Sequence, residues 1–182
     1  MGTANVQKAL LKLTQTLEEM GVPYAIVGAM ALFELGYERA TSDVDVLLTP
    51  EGLAAFKARW LGRGYVEKFA GSKGVRDTEH NVTIDVILAG EYPGDGQPKP
   101  VRFPDPTIAV RGARVALLPP EKLVELKLAS GMSAAHRLKD LADVLELVRH
   151  AQLGQDLANR LDPSVRDKYL ELWSAAQFEE RE

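Results

Sequence analysis

Three aspartates and one glycine carry the most chemistry in this sequence. Asp43 and Asp45 stand two apart at the head of the apolar run Val44-Asp45-Val46-Leu47-Leu48. A run of this kind is built to be buried as a strand, and residues i and i+2 of a strand share a face. Two like charges on one face of a buried strand repel and resist desolvation. A divalent cation removes both objections, and carboxylate oxygens at this spacing suit Mg²⁺. Asp85 repeats the situation inside Val82-Thr83-Ile84-Asp85-Val86-Ile87-Leu88. If the two strands are neighbours, three carboxylates converge. Gly28 directly follows the short apolar strand Tyr24-Ala25-Ile26-Val27 and opens a helical stretch over 29–36. There the backbone can approach an anion closely and free N–H groups point outward. Three carboxylates and a glycine turn suit phosphoryl transfer with two metal ions. Taken singly, each feature has a plainer reading. Most D-x-D pairs are solvated, a lone acid ends a strand beside Arg or Lys, and a lone glycine is a turn. The joint pattern, in order and on these elements, is what carries the inference.

The elements that must hold these residues are legible from periodicity. Val6, Leu10, Leu13, Leu17 and Met20 predict an amphipathic helix over 4–20, stopped by Gly21. Thr49-Pro50-Glu51 is a cap with Pro at the first helical position, and the helix runs through Leu53, Phe56 and Trp60 to about Gly62. Gly64-Tyr65-Val66 opens a further strand, 71–81 reads as a hairpin or loop, and 82–88 is a strand. Residues 90–106 hold five prolines and three glycines, which predicts a loop or loose edge hairpin. Ile108–Val110 and Arg114–Leu117 flank Gly112 as a last hairpin. From Pro119 only helices are expected, over 120–131, 133–150 and about 163–178. The sequence thus divides into an α/β core over 1–118 and a helical region over 119–182, expected to pack on that core.

Composition narrows the function classes. The chain has 182 residues, a formal charge of −4 and 46% hydrophobic residues, as expected of one globular core with a helical appendage. Mild acidity argues against a generally basic nucleic-acid binder. The absence of cysteine excludes disulfides, thiol nucleophiles and Cys-ligated metals. His80, His136 and His150 are dispersed, so a metal would be held by carboxylates. No signal peptide or membrane span is read, and the expectation is a cytoplasmic protein without a membrane partner. Charge is uneven. Residues 57–76 carry six cations against Glu67 alone, and residues 99–114 carry four against Asp105. These stretches are a candidate local basic surface for an RNA acceptor, or simply solvated cations.

Val27-Gly28-Ala29-Met30-Ala31-Leu32, then Gly36, Arg39, Thr41, Asp43 and Asp45, followed by Ile84-Asp85-Val86, resembles the polymerase-β-like nucleotidyltransferase superfamily. The Arg39-Ala40-Thr41-Ser42-Asp43 run is similar to the AbiEii toxin-type branch and related bacterial nucleotidyltransferases. Lys122 to Lys127 and His136 to Asp143 resemble the helical K…R-x-x-K-D-x-x-D pattern of that family. The resemblance spans roughly 20–178. It implies an α+β nucleotidyltransferase fold, a small mixed sheet flanked by helices and followed by a C-terminal helical bundle.

It also implies roles. Asp43 and Asp45 would hold two Mg²⁺ ions (Mn²⁺ as the alternative) and the triphosphate. Asp85 would hold the catalytic metal and help deprotonate an acceptor hydroxyl. Gly28 and Ala29 would present backbone N–H groups to phosphate, Arg39 and Thr41 would shape the loop before Asp43, and Lys127 and Asp140 would close over the nucleotide. Many members carry Ser or Gly where this chain has Ala29, so a phosphate contact is missing. The implied activity moves an NMP from an NTP such as ATP to a hydroxyl, with release of pyrophosphate. The acceptor stays open among a tRNA end, a protein side chain and a small molecule such as an aminoglycoside. Two other readings are a nucleotide-binding module without turnover and a toxin with a cognate antitoxin. Outside the family pattern, an exposed i,i+4 pair of Lys139 with Asp143 is the plain alternative, while Tyr169 and Trp173 are assigned to the core.

Overall fold

The computed structural model describes residues 3–178 and divides into two compact units. The first comprises residues up to 34 with 38–89 and 104–118; the second comprises 35–37, 90–103 and the residues from 119 onward. The first holds the whole sheet. Its elements are α1 (Thr3–Glu19), β1 (Ala25–Val27), α2 (Gly28–Glu34), β2 (Asp43–Leu48), α3 (Pro50–Trp60), β3 (Tyr65–Glu67), β4 (Val75–Asp77), β5 (Val82–Leu88), β6 (Val110–Arg111) and β7 (Ala116–Leu117). The seven strands lie in the order β3-β4-β5-β2-β1-β7-β6. The central pair, β2 and β5, is parallel; β1 runs antiparallel to β2, and β4 antiparallel to β5. The sheet is therefore mixed and flanked by helices, with α1 against β2 and β5.

Each local signal has a structural counterpart. The Thr49 hydroxyl accepts from the Gly52 N–H at 3.0 Å, Pro50 begins α3, and Lys57 and Arg59 sit in its last turn, where the helix dipole favours cations. Val6, Leu10, Leu13 and Leu17 of α1 are buried. The stretch 71–81, expected as a hairpin or loop, holds β4, which pairs antiparallel with both β3 and β5 and has buried Val75 and Asp77. Two expectations are corrected. The helix predicted over 133–150 breaks at Ala134, whose backbone is extended (φ −159°, ψ 142°); a 3₁₀ turn at 135–137 precedes α5 (Leu138–His150). The helix after Gly28 ends at Glu34, short of Gly36.

The second unit contains α4 (Pro120–Ser133), α5 and α6 (Pro163–Phe178), mutually packed. Gly131 permits the close approach of α4 and α5, since a Cβ there would lie 2.6 Å from the Leu141 side chain. Tyr169 is fully buried and donates to the Gly154 carbonyl at 2.8 Å; burial pushes its phenol up to about 12. Tyr169 is thus in the core as expected, whereas Trp173 is only half-buried and donates to the Leu153 carbonyl at 3.0 Å. The segment 90–103 is closed by backbone bonds from Gly90 to Phe103 and from Phe103 to Glu91.

One ion-pair cluster fastens α1 to the β4 end of the sheet. Asp77 is completely buried and accepts from Lys12 Nζ at 2.6 Å, the His80 ring at 2.5 Å and the Glu79 N–H at 3.1 Å. Burial alone would raise the Asp77 carboxyl, but the Lys12 and His80 hydrogen bonds outweigh it and hold the group below its ordinary 3.8. A carboxyl depressed in the folded chain stabilises fully above its unfolded value and loses that contribution as pH falls through the folded one. Stability should therefore decline below about pH 4. Asp77→Asn should remove about 2–3 kcal/mol at neutral pH and flatten this acid limb, as read by denaturant unfolding from pH 3 to pH 7. An unchanged acid limb would refute the assignment.

Candidate active site

The site is built by strand register. In β2, Val44 and Val46 are fully buried, while Asp43 and Asp45 are half-buried on the opposite face. In β5, Ile84 is buried and Asp85 half-buried. The parallel ladder pairs Asp45 with Asp85 and Asp43 with Thr83. Directly opposed residues of neighbouring strands share a face, so Asp43, Asp45 and Asp85 stand on one side of the central strand pair.

Gly28 approaches this face from β1, whose Val27 pairs with Asp45. Its φ is +65°, in the left-handed region, and a Cβ built there would lie 2.0 Å from Asp45 Oδ2 and 2.9 Å from Asp45 Cβ. Glycine is required twice over, by backbone conformation and by the carboxylate that occupies the Cβ position. The first N–H groups of α2 lack intrahelical partners. The helix is only seven residues long, and Ala29, immediately after the turn, is 4% exposed.

Thr41 fixes Asp43. Its hydroxyl donates to Asp43 Oδ1 at 2.6 Å, which orients the carboxylate before β2 begins. Arg39 lies half-buried on the same approach. Asp85 has a partner that its sequence context did not reveal: Lys68 Nζ lies 2.7 Å from Asp85 Oδ1. Lys68 reaches from the connection between β3 and β4, packing over Gly74, where a Cβ would lie 2.7 Å from Lys68 Cδ and 3.4 Å from Asp85 Oδ1. In the sequence Lys68 belongs only to a basic stretch, because no local spacing links it to a residue 17 positions away.

The remaining predicted residues lie in the helical unit and form a network of their own. Lys127 pairs with Asp143 at 2.7 Å and Asp140 at 3.3 Å. Asp140 also accepts from Ser130 at 2.6 Å and Arg137 at 2.8 Å. Burial works to raise the Asp140 carboxyl, and the Lys127 charge with these bonds brings it below its ordinary value. The exposed Lys139–Asp143 pair is corrected: Asp143 is buried and turned onto Lys127.

A second acidic group was missed. Asp77, Glu79 and His80 bring possible ligand atoms within 4.8 Å of one another. Lys12 already sits among them, 2.6 Å from Asp77 and 2.9 Å from Glu79, so a protein cation takes the central position. The clue was the Asp77-x-Glu79-His80 spacing at a strand end, which becomes informative only once α1 supplies Lys12.

Gly28→Ala should destabilise the protein by about 2 kcal/mol or more, from left-handed strain and displacement of Asp45. Gly71→Ala serves as control, because Gly71 has φ +78° with nothing within 4 Å of its Cβ position. Equal losses in thermal unfolding would remove the steric link between Gly28 and Asp45.

No protein-family model and no curated protein matches the chain. Solved structures do. ANT(2'')-Ia in complex with adenylyl-2''-tobramycin is similar at a TM-score of 0.57 and 15% identity, over 97% of this chain and 99% of that one. JHP933 from Helicobacter pylori is similar at 0.52 and 19% identity, over 96% and 90%. An antigenic nucleotidyltransferase-like protein from Paracoccidioides brasiliensis is similar at 0.52 and 16% identity, over 82% and 78%. The chain has the nucleotidyltransferase fold.

Proposed function

We propose that this protein transfers a nucleoside monophosphate from an NTP to a hydroxyl acceptor with release of pyrophosphate. The observation that carries this reading is the placement of Asp43, Asp45 and Asp85 on one face, with Asp45 seated against a glycine that leaves its Cβ position vacant. An all-oxygen donor set of three acids fits hard divalent cations. Asp43, Asp45 and Asp85 would hold two Mg²⁺ ions, or Mn²⁺, which supply charge neutralisation to the triphosphate and the departing pyrophosphate. Asp85 takes the acceptor's proton as the hydroxyl oxygen bonds to the α-phosphorus. The bond from that phosphorus to the α,β-bridging oxygen breaks, and its electron pair leaves with pyrophosphate. Thr41 keeps the Asp43 carboxylate in one orientation, and the Gly28 backbone admits phosphate to the face. Likeness to ANT(2'')-Ia supports a small hydroxylated acceptor; a tRNA end and a protein hydroxyl are the alternatives. An AbiEii-type toxin role with an antitoxin partner would show as growth arrest on expression, relieved by Asp43→Asn.

Ala29 favours a second reading, in which nucleotide binds without turnover. Calorimetry with each of ATP, CTP, GTP and UTP, paired with a pyrophosphate-release assay, separates the two: binding without release supports the module.

Incubation of the protein with α-labelled NTPs and cell extract should label an acceptor fraction. Asp43→Asn and Asp85→Asn should each lower labelling about a thousandfold or more while retaining the wild-type unfolding midpoint. Full activity in either variant would end the assignment. Because Lys68 competes for Asp85, Lys68→Met should tighten Mn²⁺ binding about two- to threefold in calorimetry; weaker binding would mean that Lys68 supports the site instead of opposing cation entry.

A further inference from the structure

We propose that a cavity in the helical unit binds a small polyphosphate anion, independently of the transfer reaction. The cavity has a volume of about 450 Å³, and its charged lining consists of Arg102, Lys122, Arg160 and Arg166 with Glu125 and Asp162. That volume lies within the usual range for small-molecule sites.

The two acids are committed to structural work. Glu125 is buried; one oxygen accepts from Lys122 Nζ at 2.7 Å and the other from the Asp162 N–H at 2.6 Å. Asp162 Oδ1 accepts from the Ser164 N–H at 2.9 Å and its hydroxyl at 2.6 Å, where α6 begins. Asp162 also feels the Arg166 charge, but no close ion pair joins Arg102 or Arg166 to an acid among the described residues. Arg102 lies over the Tyr92 ring at 4.9 Å, Arg160 comes only to 3.9 Å from Glu121, and Arg166 is anchored through Nε to the Leu161 carbonyl at 2.9 Å. Four cations around two acids leave the concave surface with net positive charge. A cleft concentrates such a field, and planar guanidinium groups match phosphate oxygens in paired hydrogen bonds. Several arginines around one polar cavity suit linked phosphates better than a single carboxylate.

The test uses the full chain, sodium tripolyphosphate as probe, and EDTA to keep divalent ions away from the Asp43, Asp45 and Asp85 face. Calorimetry should show saturable 1:1 binding that weakens as salt rises from about 50 to about 200 mM. Arg102 and Arg160 are exposed, so R102A/R160A should keep the wild-type unfolding midpoint and lose at least about tenfold in affinity, a figure set by two charge-assisted contacts. Undiminished binding in the double variant, or no saturable binding in the wild type, would overturn the proposal. Binding of a single-stranded oligoribonucleotide in the absence of tripolyphosphate binding would overturn it in favour of a nucleic-acid contact. Because labelling of an acceptor is measured separately, loss of the transfer reading leaves this site intact, and the reverse also holds.

Discussion

The register between β2 and β5 is the constraint on which the rest of the site depends. A parallel pair needs a long connection between its strands, and here the chain between Leu48 and Val82 supplies α3 and the β3–β4 hairpin. That excursion returns β5 so that Asp85 stands opposite Asp45. A slip of one residue would turn Asp85 into the position of Ile84, which is fully buried, and bring an apolar side chain onto the acid face. Val44, Val46 and Ile84 therefore fix the positions of the acids as surely as any polar contact, because their burial favours only one register. The same connection carries Lys68, so the segment that makes the parallel pair possible also delivers the cation that meets Asp85.

Gly28 shows how tightly the acid face is built. A carboxylate oxygen lies where any other residue's Cβ would be. The backbone turn and the acid position are thus one constraint, met by a residue with no side chain. Thr41 does comparable work at Asp43 by a different means, a short hydrogen bond that limits the rotamers of a half-buried carboxylate. Acids held in this way lose less freedom when they meet a cation than acids on a mobile loop would.

What the sequence made legible was whatever has a local cause. Thr49-Pro50 marks a helix start through capping chemistry confined to four residues, and the alternation around Asp43, Asp45 and Asp85 marks strands with one polar face. Inside the expected hairpin or loop over 71–81 the bounds of β4 were not legible, because three residues carry no period and its place is set by its pairing with β3 and β5. Ala134 has no breaker chemistry, so the interruption before α5 depends on how α4 and α5 pack around Gly131 and Leu141. Lys68–Asp85 and Lys12–Asp77 join residues 17 and 65 positions apart, and spacing rules have nothing to say at those separations. Asp143 misled for the same reason: its i,i+4 neighbour Lys139 was visible, whereas Lys127 on another helix was the actual partner.

Charge density along the chain and charge density in space also diverged. The stretch 57–76 is rich in cations, yet Lys57 is bound to Glu67 and to the Ser72 carbonyl, Lys68 to Asp85 and Arg76 to Asn81. In the stretch 99–114, Lys99 closes onto Asp95, Arg111 onto Glu18 and Arg114 onto Glu34. An ammonium or guanidinium already paired with a carboxylate contributes little field to an incoming anion. Arg102 differs in having an aromatic ring instead of an acid beside it, and it is the one cation of its stretch that lines the cavity with Arg160 and Arg166. The latter two lie beyond residue 159, in sequence that carries no local basic excess. Concavity and cations without a close acid, brought together within the second unit, define the positive site there, whereas Lys57, Lys68, Lys99, Arg111 and Arg114 of the basic runs are each paired with an acid.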